Sequence, residues 1–224
     1  LALIISNKKF SNFTIKFSIS LFLTLLIVIL LILQPDLGQT LLIGFSWLIL
    51  IFISGINLFF LITISLIGII SLLYTVLYIP KFEYIKNRLL SFFDSESGTH
   101  NFQSDKALDS IMSGGFFGKG IGEGTLKNRV PEAHTDYIIS VIAEEFGVIV
   151  IMLILILFLV FFFSILKKVN KELNDVNSLI LVGSASLILI QAMIHIGVNI
   201  RLFPTTGMTL PFLSYGGSSI VSVS

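Results

Sequence analysis

The sequence predicts an all-α, polytopic helical membrane protein. Of its 224 residues 55% are hydrophobic and 12% are charged, and its mean hydropathy is +1.00. A soluble domain carries about twice that charge fraction. The apolar residues gather in stretches near the length of a bilayer's hydrocarbon core, parted by polar links. The chain reads as one polytopic membrane domain over residues 1–224.

The elements follow from where that pattern is broken. A first full span is expected at about residues 17–33, ended by Gln34-Pro35-Asp36-Leu37-Gly38-Gln39, where Pro and Gly stop the helix. A short second span, about 40–54, turns at Gly55-Ile56-Asn57, and a third, about 58–79, closes at Pro80. A polar region, 80–136, precedes a fourth span at about 137–166 and a fifth at about 178–200. A Pro- and Gly-rich connector, 201–217, leads to the start of a last span at 218–224. The chain opens on Leu1, and the expectation is an internal piece of a longer protein.

Charge sets the orientation. Lys8, Lys9 and Lys16 fall on the same side as Lys167, Lys168 and Lys171 if each span crosses once, while the opposite short loops hold only Arg201. Lysine-rich short loops stay cytoplasmic. The 34–39 turn, the 80–136 loop and the 201–217 connector therefore face outward. Within the large loop, Lys81, Glu83, Lys86 and Arg88 alternate with apolar positions at helical spacing. That pattern suits a helix lying on the membrane surface or an ordinary connector helix.

Composition also excludes. With no cysteine, disulfides, thiolate metal sites and cysteine nucleophiles are out. The formal charge is +1 and no basic tract suggests nucleic acid. The run Gly118-Lys119-Gly120-Ile121-Gly122 lacks the strand and helix that a dinucleotide fingerprint requires, so it reads as a loop of tight turns. Its backbone and Lys119 could still meet a lipid-borne phosphate.

The strongest chemical signal is Pro131-Glu132-Ala133-His134-Thr135-Asp136, at the mouth of the fourth span. A helix beginning near Pro131 would carry Glu132, Asp136, Ser140 and Glu144 on one face. Acids facing lipid at that depth cost about 2.5–3.5 kcal/mol each, so the stripe must line a wet cavity or meet a partner. A half-buried carboxylate there could take a proton from an attacking hydroxyl. The alternative, that these residues only cap the helix and complement its dipole, is equally open at this point. No zinc spacing occurs. Pro204, Gly207, Pro211, Gly216 and Gly217 break any helix through the connector, with Ser214, Tyr215, Ser218 and Ser219 supplying hydroxyls; it reads as cavity lining or as surface loop. His195, alone in an apolar span, reads as a packing residue.

Four segments taken together resemble the SEDS family (shape, elongation, division and sporulation). They are Gln34-Pro35-Asp36-Leu37-Gly38-Gln39-Thr40; the glycine run at 114–125; Pro131-Glu132-Ala133-His134-Thr135-Asp136-Tyr137 with Ala143-Glu144-Glu145-Phe146-Gly147; and Gly207-Met208-Thr209-Leu210-Pro211-Phe212-Leu213-Ser214-Tyr215-Gly216-Gly217-Ser218-Ser219. The wording is nearer the family's division member than its elongation member, although Thr206 stands where the division member often has Lys. The resemblance implies the later part of a ten-span bundle in the bacterial cytoplasmic membrane. It also implies a glycosyltransferase that polymerises lipid II outside the membrane during division, beside a class B penicillin-binding protein and other divisome proteins. The family's catalytic Asp falls on Asp136, with Glu132, His134, Lys119, Gln34, Asp36, Gln39, Ser214 and Ser218 as candidate substrate contacts. A divalent cation (Mg or Mn) is an expected cofactor, with Lys119, Lys127 and Arg129 as other candidates to stabilise the leaving group; no nucleotide, haem or zinc is expected. A lipid II flippase and a non-enzymatic scaffold remain the competing readings, and this fragment alone is expected to be inactive.

Overall fold

The computed structural model describes residues 1–6, 13–34, 36–93, 102–125, 130, 132–169 and 171–215. Among these every regular element is helical: α1 (Ala2–Ile5), α2 (Phe13–Leu33), α3 (Leu37–Ile53), α4 (Leu58–Tyr78), a 3-10 turn at Pro80–Phe82, α5 (Glu83–Phe93), α6 (Phe102–Gly114), α7 (Ile138–Phe146), α8 (Val148–Val169) and α9 (Asp175–Asn199). Four stretches, Thr14–Leu33, Leu58–Tyr78, Val148–Val169 and Asp175–Asn199, are long and apolar enough to cross a membrane; α3 is a shorter apolar helix. Along α4 only Val76 is buried, while Leu66, Ile67, Ile69 and Ile70 stand exposed. A helix apolar on all sides and left uncovered by the rest of this chain is suited to a bilayer. The protein is a multi-pass membrane protein.

The chain divides into two compact units, Leu1–Lys86 with Phe161–Ile190, and Asn87–Val160 with Gln191–Ser224. In the first, Trp47, Leu50, Ile51, Ile5 and Leu179 form the core, edged by Phe17. Trp47 Nε1 donates to Ser20 Oγ at 2.6 Å, which gives the buried indole the partner it requires. Asp36 caps α3, accepting from Gln39 N–H at 3.0 Å, and Thr40 Oγ1 returns a bond to the Asp36 carbonyl at 2.7 Å. Asn57 caps α4 in the same manner.

The second unit departs from the expected pattern in two places. The polar stretch after residue 94 contains a helix, α6, whose Ser104, Ala107, Ser110, Ile111 and Gly114 are buried. Small residues form its inner face, which lets it approach α7 closely: a Cβ on Gly114 would stand 2.0 Å from the Ala143 carbonyl oxygen. The expected fourth span is also two helices, α7 and α8, parted at Gly147, whose φ of +84° no β-carbon residue adopts cheaply.

Candidate active site

The glycine run closes the α7–α8 break. Lys119 N–H and Gly120 N–H donate to the Glu144 and Glu145 carbonyls at 2.9 and 3.0 Å, satisfying the end of α7. Val148 and Ile149 N–H donate back to the Gly115 and Phe116 carbonyls, satisfying the start of α8. Glycine is required because the backbones touch: a Cβ on Gly118 would lie 2.2 Å from the Glu145 carbonyl oxygen, and one on Gly147 would lie 2.1 Å from that of Phe116. Amides spent in this way do not form a phosphate cradle. Beneath the run, Glu144 is fully buried, accepting from Ser110 Oγ at 2.9 Å with Lys119 Nζ 3.6 Å away.

The segment carrying Asp136 is a turn and not helix. α7 begins at Ile138, so the stripe expected from Glu132 through Glu144 does not form: Glu132 and Asp136 lie outside the helix that holds Ser140 and Glu144. The cause is Glu132, whose φ of +56° reverses the chain. Its carbonyl then collects the N–H groups of Thr135, Asp136 and Tyr137 at 3.1–3.2 Å, and its carboxylate accepts from Thr135 Oγ1 at 2.9 Å.

Distant residues lock this turn. Ser214 Oγ donates to the Thr135 carbonyl at 2.7 Å and accepts from Leu210 N–H at 2.8 Å, while Tyr215 N–H donates to the His134 carbonyl. Asn199, at the end of α9, donates to the Asp136 carbonyl at 3.1 Å and the His195 carbonyl at 2.9 Å. The connector is therefore packed, with Met208, Leu210, Pro211 and Ser214 buried. Gln191 Nε2 holds the Thr209 carbonyl at 2.9 Å. Since Gln191 precedes Asn199 by eight positions, the connector dips about 12 Å back along α9. Irregular backbone at such depth survives because protein covers it. Arg201 pairs with Asp105 of α6, and Arg88 of α5 donates to the Thr205 carbonyl at 3.0 Å, so the start of the connector is tied twice.

Asp136 is half-buried beside Gly207, whose φ is +67° and where a Cβ would stand 3.5 Å from Asp136 Oδ2. Burial raises the Asp136 pKa above the ordinary aspartate value, and the negative charge of Glu132 raises it further. An open cleft of about 740 Å³ adjoins the turn, lined by Val130, Glu132, His134, Thr135, Val141 and Glu145. Asp136 is not part of that wall.

The candidate residues thus separate. Asp136, Glu132, His134 and Lys119 share the second unit, with Glu132 and His134 on the cleft. Ser214, buried with its hydroxyl both donating and accepting, braces the turn. Gln34, Asp36 and Gln39 belong to the first unit, where Asp36 caps α3. Ser218, Lys127 and Arg129 lie outside the described residues. His195 is buried on α9 beside Asn199, as a packing residue would be. Sequence reasoning passed over Asn199 as a contributor; one polar group ending an apolar span was the available signal. No group of three or more His, Asp or Glu capable of holding a metal ion occurs among the described residues.

The chain spans about half the length of the curated relatives it matches. It is 36% identical over 210 residues to a probable peptidoglycan glycosyltransferase FtsW of Caulobacter vibrioides, covering 92% of this chain and 52% of that one. The probable peptidoglycan glycosyltransferase FtsW of Bacillus subtilis is 35% identical, with 89% of this chain and 52% of that one covered. A solved structure described as "Structural coordination of polymerization and crosslinking by a peptidoglycan synthase complex" superposes with a TM-score of 0.78 at 26% identity, over 99% of this chain and 62% of that one. All of residues 1–224 match the family model FTSW_RODA_SPOVE, described as a cell cycle protein. With the apolar spans, the glycine-sealed break and the braced Asp136 turn, the chain belongs to the FtsW/RodA/SpoVE family of cell cycle proteins.

Proposed function

We propose that the whole protein is a peptidoglycan glycosyltransferase that polymerises lipid II at the outer face of the bacterial cytoplasmic membrane during division, with Asp136 as general base. One observation carries the reading: Asp136 is a half-buried carboxylate, raised in pKa, on a turn braced from two sides, by Asn199 of α9 and by Ser214 and Tyr215 of the connector. A cap would need no such bracing. An acid whose pKa moves toward neutrality is a better proton acceptor for a sugar hydroxyl. Asp136 takes the acceptor's hydroxyl proton as that oxygen bonds to the donor's anomeric carbon. The bond from that carbon to undecaprenyl pyrophosphate breaks, and the leaving group departs with the electron pair.

Glu132 and His134, on the cleft wall, are placed to contact the polar sugar-peptide part of a substrate. Lys119, 37% exposed although near Glu144, retains donors for a phosphate. The relatives' names and the synthase complex support the substrate class. They also support a partner that cross-links the product, read as a class B penicillin-binding protein working with other divisome proteins.

The test is reconstitution of the full-length protein with that partner in vesicles containing labelled lipid II, with cross-linking blocked by penicillin. The reading predicts glycan strands resolved on a gel. Transfer of intact lipid II between leaflets without strands would contradict it.

A further inference from the structure

We infer that Phe116 and Phe117 form an interfacial anchor, seated in the headgroup region of the bilayer's outer leaflet where α8 enters it. Both rings are uncovered, Phe116 being 73% and Phe117 84% exposed. Two adjacent exposed aromatics are costly in water; burying each gains roughly 1.5–3 kcal/mol. Their height against the span is fixed by backbone. Val148 N–H bonds to the Gly115 carbonyl at 3.0 Å and Ile149 N–H to the Phe116 carbonyl at 3.4 Å, so the pair stands level with the first turn of α8.

That turn opens the most apolar of the candidate spans, Val148–Val169. Its Ile149, Met152, Leu153 and Ile156 are left exposed by this chain, as a lipid-facing surface requires. The two exposed rings stand at the rim of this apolar span, level with its first turn. At the other end of α8 stand Lys167 and Lys168. Lysines at one end and aromatics at the other, about 30 Å apart by helix rise, is how a span is fixed at both interfaces. Lipid is the occupant because the rings stand level with the first turn of the most apolar span, where that span meets the headgroups.

The anchor gives the glycine run a second function. The segment that seals the α7–α8 break is thereby held at the membrane surface, setting the height of the Asp136 turn relative to the leaflet that carries a lipid-linked substrate. The anchor itself does not depend on the glycosyltransferase reading; only its consequence for a lipid-linked substrate does.

These 224 residues hold no cysteine, so once any cysteine elsewhere in the full-length protein is replaced by serine a direct test is possible. Nitroxide labels are placed at Phe117→Cys and, as a control on the same loop, at the exposed Glu123→Cys, in the full-length protein reconstituted in phospholipid nanodiscs. The expected result is a label at 117 relaxed more by oxygen than by a water-soluble nickel chelate, with the reverse at 123. A label at 117 as open to nickel as that at 123 overturns the anchor, and so does one shielded from both reagents, which would mean a protein covers it. Phe117→Leu should keep the lipid signature of a label at Phe116→Cys, and Phe117→Glu should lose it.

Discussion

Gly207 lies against the carboxylate of Asp136: its backbone takes a φ of +67°, and a β-carbon there would stand 3.5 Å from Oδ2. The residue is needed for its left-handed backbone, while a methyl there would sit in ordinary contact with the acid. Gly207→Ala is expected to cost about 1 kcal/mol in backbone strain. The added methyl also removes water from Asp136, so the acid limb of the pH–rate profile should move upward. Unchanged pH dependence would assign the glycine to backbone conformation alone.

The pH dependence has a definite sign. A general base must be ionised, and burial followed by the Glu132 charge raises Asp136 above the ordinary 3.8. Activity should therefore rise with pH through a midpoint above that value. Glu132→Gln removes the second cause and should move the midpoint down. Stability runs the other way: Asp136 ionises less readily in the folded state, so its contribution falls as pH rises from 3.8 toward the raised pKa, and Asp136→Asn should abolish that component.

Asn199 joins α9 to the Asp136 turn. Asn199→Ala deletes the bond to the Asp136 carbonyl and leaves that acceptor unpaired, an expected loss of about 1–3 kcal/mol. The turn is then held from the connector side only. kcat should fall more than KM rises, measured by polymerisation at varied lipid II.

The glycine run yields a paired comparison. Gly114→Ala drives a methyl into the Ala143 carbonyl at 2.0 Å and should lower stability by about 3 kcal/mol. Gly115→Ala meets nothing within 4 Å and carries only the strain of its φ of +58°, about 1 kcal/mol. Thermal unfolding in detergent should rank them in that order; equal midpoints would refute the close α6–α7 packing.

How much was legible in the sequence follows from where the stabilising contacts come from. Helices read from apolar runs are local, and α4 ends one residue from its expected limit because Asn57 and Pro80 are local signals. α6 escaped because its buried face is mostly serine, alanine and glycine, with Ile111 its one large apolar residue, and so carries little hydrophobic periodicity. The break at Gly147 escaped because the residues after it remain apolar and helix-forming, and only the carbonyls of Gly115 and Phe116 show why the chain can part there. The helix expected from Pro131 does not start until Ile138, since three N–H groups find a better acceptor in the Glu132 carbonyl. Asp136 itself was legible as a residue type near lipid. Its bracing was not, because Ser214 and Asn199 stand more than sixty positions away in sequence.

The most direct test of the central claim is the polymerisation rate of Asp136→Asn in the full-length protein with its cross-linking partner, at a pH well above the wild-type midpoint. The amide keeps the shape and the backbone contacts of the turn, so the variant should fold and bind lipid II as the wild type does. Strand synthesis should drop by roughly 100-fold or more, the scale of general base catalysis. Wild-type rates from a folded Asp136→Asn protein would show that the carboxylate at the mouth of this span is not the base.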